Sequence, residues 1–276
     1  MTSPCKLDDS RILPYIFHPR ATSLTRLPAG AQDLPIEVEP GLIIGCRLYL
    51  HSPESPNILY FHGNGEVVSD YDEIGPLYNQ VGLNLLVTDY RGYGWSNGTP
   101  TVQTMYLDAE ILFQELGAWL SDHQYNGPLL IMGRSLGSAC AIDLAARHED
   151  KIKGLIIESG FGDTLPLLTV LGVPLDEIDL SEEECFNNTI KIAQVSKPTY
   201  ILHGARDQLI PVAEAEKLQA WSGARTKEFQ IIPGADHNST IACAGRLYFQ
   251  AIKQFIDKIT GTANWRDRRR KSKDTQ

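Results

Sequence analysis

The sequence predicts an α/β fold with a mostly parallel central sheet flanked by helices, on three observations. Short apolar runs bounded by glycine, proline or polar residues recur from Asn57 onward, as in strands buried on both faces. Between them lie segments whose apolar residues step by three and four, the helical period. The chain has 276 residues, 42% of them hydrophobic, and a chain of about 300 residues buries roughly 75% of its unfolded surface. Such a core needs no disulfide or metal staple.

Residues 57–61 read as the first of these strands, running into His62-Gly63-Asn64-Gly65. Residues 83–88 form the next and end in Asp89-Tyr90-Arg91-Gly92-Tyr93-Gly94. Residues 129–132, 152–157, 199–202 and 229–232 continue the series. Val102, Met105, Ala109, Leu112, Leu116 and Trp119 make one helical stripe, with Thr99-Pro100 expected to cap it and open its first turn. Ile241, Ala244, Tyr248, Ile252, Phe255 and Ile259 make a second stripe. Near the start of the chain, residues 36–38 and 42–50 are expected to add antiparallel strands at one sheet edge.

Residues 161–197 break the rhythm, being long for a crossover in a compact domain. They open apolar, with Leu165, Leu167, Leu168, Val170 and Leu171, and turn acidic at Asp176, Glu177, Asp179, Glu182, Glu183 and Glu184. The expected organisation is one domain over residues 1–265, carrying a short lid insertion at 161–197. Residues 266–276 form a basic tail that reads as disordered.

Charge and cysteine usage remove whole classes of function. Lys and Arg number 25 against 34 Asp and Glu, a net charge of −9, where a nucleic-acid binder needs a basic field. The five cysteines Cys5, Cys46, Cys140, Cys185 and Cys243 are scattered, without a C-x-x-C pair. That pattern fits a reducing compartment, so a cytoplasmic location is expected. The first residues lack the apolar core of a signal peptide, and no uncharged apolar run approaches the ~20 residues of a membrane span. An integral membrane segment is therefore not expected, and nothing in the sequence sets an oligomeric state.

The chemistry concentrates in Gly133-Arg134-Ser135-Leu136-Gly137, which follows one strand and precedes the small helix formers of residues 138–146. A bare G-x-S-x-G arises by chance; the strand before it and the helix after it give it meaning. A serine hydroxyl needs a base to attack near neutral pH. In this architecture the partners follow in the order Ser, acid, His. Three histidines follow Ser135: His148 at a helix end, His203 closing a strand and His237 in a Gly/Asp loop. His237 alone lies beyond Asp207, which leaves the strand at 199–202 and is placed to orient the imidazole. Glu158 is the rival acid, and Asp236 reads as a turn former. The negative oxygen formed during attack needs two preorganised donors. The backbone N–H of Leu136 is one, and that of Asn64 is preferred for the other, with Gly63 next. His62 is expected to hold the 62–65 loop by a hydrogen bond.

These motifs, in this order over residues 57–260, resemble the α/β-hydrolase superfamily, in particular its small ABHD-type, serine-aminopeptidase-like branch. The resemblance rests on Phe61-His62-Gly63-Asn64-Gly65, residues 89–94, residues 133–137, His203-Gly204 with Asp207, and Gly234 with His237-Asn238. It implies the α/β-hydrolase fold and a Ser135, His237, Asp207 triad, and it gives residues 89–94, Arg91 included, a structural role. The chain departs at Gly65-Glu66, where relatives often carry Ala-Gly, and at Ser138, where a third glycine is common; neither is expected to touch the triad. Substrate is poorly marked, because one fold hosts many chemistries.

The expected activity is hydrolysis of a carboxylic ester or thioester on a small molecule or an acylated protein. No metal or organic cofactor is expected, since H-E-x-x-H, G-x-x-x-x-G-K and G-x-G-x-x-G are absent from the sequence. The leucines of the lid either line an acyl pocket or pack the lid onto the sheet, and the acidic run either attracts a cationic substrate or is a solvated face. An aminopeptidase or amidase, a cofactor-free perhydrolase and a non-catalytic binding module on the same fold are the other readings.

Overall fold

The computed structural model describes residues 5–24 and 26–262, so the basic tail lies outside the described residues. Its strands are β1 (Ala31–Glu39), β2 (Leu42–Tyr49), β3 (Asn57–Phe61), β4 (Asn84–Thr88), β5 (Leu129–Arg134), β6 (Gly154–Glu158), β7 (Thr199–Gly204) and β8 (Lys227–Ile232). They pair in the order β1-β2-β4-β3-β5-β6-β7-β8. From β4 to β8 every pairing is parallel, while β1 and β2 join antiparallel at one edge, as expected.

The helices are α1 (Leu13–Ile16), α2 (Gly75–Gln80), α3 (Val102–Asp122), α4 (Gly137–Arg147), α5 (Thr164–Leu171), α6 (Asn188–Ala193), α7 (Val212–Trp221), α8 (Thr240–Ala244) and α9 (Arg246–Thr260). Side chains alternate across the sheet. Leu59, Phe61, Ile131, Leu155 and Ile157 join the core under α3 and α4. Ile58, Tyr60, Leu130, Met132 and Ile156 join the core under α9. Both faces are covered, which is why these strands read as unbroken apolar runs.

Several boundaries differ from the sequence reading, each for a local reason. β7 extends through Gly204, and β8 begins at the polar Lys227 and Glu228, because this outermost strand tolerates side chains that an apolar-run criterion rejects. Residues 152 and 153 fall outside β6, following a 3₁₀ turn at Glu149–Lys151. α3 is capped by Thr101 rather than Thr99: the Thr101 hydroxyl accepts from the Thr104 N–H, and the Thr104 hydroxyl is bonded to the Thr101 N–H in return. The stripe from Ile241 to Ile259 is two helices. Gly245 divides them with φ +55° and ψ −134°, a conformation that only glycine adopts readily.

Residues 5–24 form a strap that the hydrophobic pattern does not announce. Asp8 accepts from the Val102 and Gln103 N–H groups at the start of α3, where a carboxylate meets the positive end of the helix dipole. Lys6 pairs with Glu184 at 2.8 Å, and the Arg11 guanidinium donates to the Glu177 carbonyl. Of the acidic run of residues 176–184, Glu184 is thus engaged from within by the strap, and the Glu177 contribution is its backbone carbonyl. Glu182 accepts from the Thr164 and Leu165 N–H groups and caps α5. Leu168 is fully buried, Leu165 and Leu167 pack against the same core, and Val170 is 52% exposed. Packing into the core therefore accounts for most of these leucines. No helix among the described residues is long and apolar enough to cross a membrane.

α4 packs against the end of β3 with no room for a side chain between them. A Cβ on Gly137 would lie 2.1 Å from the Phe61 carbonyl oxygen. That oxygen is backbone, so relief requires moving a strand or a helix. We expect Gly137→Ala to lower the free energy of unfolding in urea by about 1–3 kcal/mol, in the range for overpacked cores. An unchanged denaturation midpoint would show that the helix shifts freely.

Candidate active site

Ser135 sits where β5 gives way to α4 with φ +50°, an uncommon conformation for a side-chain-bearing residue. Two contacts hold it there: the Ser135 N–H donates to the Glu158 carbonyl at 2.9 Å, and the Ser138 hydroxyl donates to the Ser135 carbonyl at 2.6 Å. Strain of this kind persists only where neighbours over-determine it. Ser138 replaces the glycine common in relatives and, contrary to expectation, bonds directly to the serine's own backbone.

The turn brings Ser135 to the loops after β7 and β8. His237 Nε2 lies 2.9 Å from Ser135 Oγ, and His237 Nδ1 lies 2.7 Å from Asp207 Oδ2. A carboxylate accepts only, so Nδ1 carries the proton and the Nε2 lone pair faces the serine hydroxyl. Asp207 is fixed in turn: its Oδ1 accepts from the Leu209 and Ile210 N–H groups at 3.0 and 2.8 Å. All three expected residues are buried to within 8% of full burial, yet they meet at the C-terminal ends of the strands, where open α/β sheets place their sites.

The other candidates take different places. His203 makes no hydrogen bond to Ser135; its Nε2 donates to the Ile210 carbonyl at 2.8 Å and lies 3.4 Å from Asp207 Oδ2, and burial holds its imidazole below the ordinary value. His148 is half-buried rather than exposed, bonding Glu110 and stacking on Phe113. Glu158 is fully buried and accepts from the Thr240 and Tyr248 hydroxyls, not from His237. Asp236 accepts from the Asn238 N–H and the Ser239 hydroxyl, as a turn former does. Arg91 makes a bidentate pair with Asp108 and a second pair with Glu39, tying the 89–94 loop to α3 and β1.

Of the two N–H groups considered on the 62–65 loop, that of Gly63 is occupied, donating to Glu66 Oε2 at 2.7 Å. The N–H groups of Asn64 and Leu136 donate to no group among the described residues. The Asn64 side chain is locked: its Oδ1 accepts from the Tyr93 hydroxyl at 2.6 Å and from the His18 N–H at 2.9 Å. The strap therefore helps to hold this loop.

Sequence reasoning passes over Arg134, the variable residue of G-x-S-x-G. Its guanidinium is buried, pairs with Glu66, and donates to the His237 carbonyl at 2.7 Å and to Asn238 Oδ1 at 2.8 Å. It thereby joins the turn at Ser135, the 62–66 loop and the His237 loop. Burial pushes the Glu66 carboxyl up, but Arg134 together with His62 and the hydrogen bonds from the Gly63 N–H and the Tyr71 hydroxyl holds the group below its usual value. Glu66 was expected to stand clear of the triad; it reaches His237 through one guanidinium. The sequence carries no signal of this pair, because only the fold brings the two motifs together.

A family model described as "Serine aminopeptidase, S33" matches residues 53–168. The protein bem46 of Schizosaccharomyces pombe is 30% identical over 217 residues, covering 76% of this chain and 70% of that protein. Human alpha/beta hydrolase domain-containing protein 17B is 30% identical over 231 residues, covering 78% and 71%. Among solved structures, the Pyrococcus furiosus esterase Pf2001 superposes with a TM-score of 0.69 at 17% identity, over 88% of this chain and 97% of the esterase. With the sheet order and the strand–turn–helix at Ser135 already in place, these likenesses agree on one assignment: the chain belongs to the ABHD-type branch of the α/β-hydrolase family.

Proposed function

We propose that the chain is a serine hydrolase that cleaves carboxylic esters or thioesters through an acyl-enzyme. The observation that carries this reading is the continuous relay from Ser135 Oγ to His237 at 2.9 Å and on to Asp207 at 2.7 Å. Ser135 Oγ attacks the acyl carbon while His237 Nε2 takes its proton, and Asp207 stabilises the imidazolium that forms. The N–H groups of Asn64 and Leu136 receive the negative oxygen, aided by the positive end of α4. Collapse breaks the bond to the alcohol or thiol, which leaves with the proton from His237. Water then gives its proton to His237, attacks the acyl carbon and releases the acid, restoring Ser135.

Residues 161–197, between β6 and β7, are read as the lid. Leu168 is buried and Leu165 and Leu167 pack against the core, which supports reading the acyl site as an accessible groove rather than a deep tunnel. A small-molecule acyl ester, a thioester or an acylated protein fits that reading. The esterase likeness extends to the fold only. The aminopeptidase reading, which the family model's description keeps in view, draws no support from the acidic run. A substrate ammonium would have to compete with Lys6 for Glu184, and Glu182 is already taken up by the N–H groups at the start of α5.

p-Nitrophenyl esters from acetyl to palmitoyl measure the activity. Ser135→Ala is expected to remove at least ~10³-fold of the wild-type rate, and Asp207→Asn about 10⁴-fold by leaving the imidazole in the wrong tautomer. Undiminished hydrolysis by Ser135→Ala would overturn the mechanism. Hydrolysis of amino-acid p-nitroanilides in preference to esters would move the assignment to the peptidase reading.

Arg134 provides a separate expectation for stability. Arg134→Met leaves Glu66 and Glu158 without their buried partner, and breaking a buried pair costs about 3–5 kcal/mol. Urea denaturation of Arg134→Met against wild type reads that loss directly. A change below ~1 kcal/mol would show that the ion pairs are not what holds these loops.

A further inference from the structure

His62 closes β3 and is fully buried, and both of its ring nitrogens face acceptors. Nδ1 lies 2.8 Å from the Gly63 carbonyl oxygen and Nε2 lies 3.1 Å from Asp89 Oδ1. A neutral imidazole has one N–H, so a neutral ring would turn a lone pair toward one of these oxygens. Asp89 has no other cation among its hydrogen-bond partners. Its Oδ1 also accepts from the Val68 N–H at 2.9 Å, and its Oδ2 is buried without a partner. An unneutralised carboxylate in that position is strongly disfavoured.

The bond to Gly63 matters because of what shares that peptide unit. The Gly63 carbonyl and the Asn64 N–H belong to one trans peptide and point in opposite directions. A donor on the carbonyl therefore sets where the Asn64 N–H points, and polarises it into a stronger donor. We propose that His62 is held as an imidazolium and, through its Nδ1–H bond to the Gly63 carbonyl, positions the Asn64 N–H for the oxyanion; this rests on the serine-hydrolase reading above. His62 does not touch substrate and is a positioning residue.

The surroundings are consistent with this state. Asp89 faces the ring from the end of β4, and the Tyr90 and Tyr93 rings lie 4.7 and 5.8 Å away, centroid to centroid. Glu66 adds a negative charge from the same loop, itself paired with Arg134. Burial opposes the charge on His62, but Asp89 and Glu66 overcome it and hold the imidazole above its ordinary value. The sign for stability follows. The folded group binds its proton more tightly than the unfolded one, so its contribution is complete below about pH 6.5 and is lost as pH rises through the folded value.

Long-range ¹H–¹⁵N spectra of the full chain from pH 6 to 10, with His62→Gln to assign the signals, read the protonation state without reference to activity. Both His62 nitrogens are expected to remain protonated through ~6.5, the ordinary midpoint, and Asp89→Asn is expected to lower the midpoint. A midpoint at or below ~6.5, or a single neutral tautomer throughout, overturns the imidazolium. In p-nitrophenyl ester hydrolysis, His62→Gln is expected to lower kcat by about 10-fold or more with KM unchanged, as loss of an oxyanion donor does. An unchanged kcat, or a loss confined to KM, overturns the positioning role. The wild-type urea midpoint should fall between pH 6.5 and 9 by more than that of His62→Gln; parallel pH dependence also counts against the proposal. A wild type inert toward every ester would fail the hydrolase reading instead, leaving the nitrogen spectra to decide the state of His62.

Discussion

The left-handed turn at Ser135 is the constraint on which the rest of the site depends. It exists because nothing stands between α4 and the strands it follows: a Cβ on Gly133 would meet the Gly137 carbonyl oxygen at 2.3 Å, and one on Gly137 would meet that of Phe61 at 2.1 Å. The close approach places Ser135 at the mouth of the sheet while its backbone is held by Glu158 and Ser138. The same approach brings the start of α4 beside the end of β3, from which the Asn64 loop leaves. Hydroxyl, helix terminus and loop amide are thus placed by one steric fact rather than by three separate ones.

Charge then fixes what sterics leave loose. Arg134 reaches from the serine turn to Glu66 on one side and to the His237 loop on the other. Buried ion pairs add little net stability but are costly to break singly, so Arg134 ties these loops to one another. A second buried contact, His62 Nε2 to Asp89 Oδ1 at 3.1 Å, adjoins the 62–65 loop. Both contacts reach backbone carbonyls, those of His237 and Gly63.

The parallel sheet was legible in the sequence because its strands are buried on both faces, and β3 matches its predicted limits residue for residue. β8 was legible only in part, since an edge strand carries Lys227 and Glu228 where an inner strand would carry valine or leucine. The strap was not legible at all. It is held by Asp8 on the start of α3, Lys6 on Glu184 and Arg11 on the Glu177 carbonyl, contacts between distant polar residues that leave no periodic trace. That Ser135, Asp207 and His237 meet in space could be anticipated because the fold fixes the order of such groups along the chain. Arg134 and Glu66 could not, because each looks like an ordinary surface charge until the loops are brought together. The break at Gly245 was hidden for the opposite reason: the apolar stripe continues through it, and only the backbone reverses.

The central claim is that Ser135 is a nucleophile activated by His237. Intact-protein and peptide mass spectrometry after treatment with a fluorophosphonate tests it without a choice of substrate, because the reagent needs an activated serine rather than a fitted acyl group. The account predicts one adduct on the wild-type chain, located on the peptide containing Ser135, absent from Ser135→Ala and strongly slowed in Asp207→Asn. Labelling that persists in Ser135→Ala, or a folded wild type that takes up no label, would contradict it.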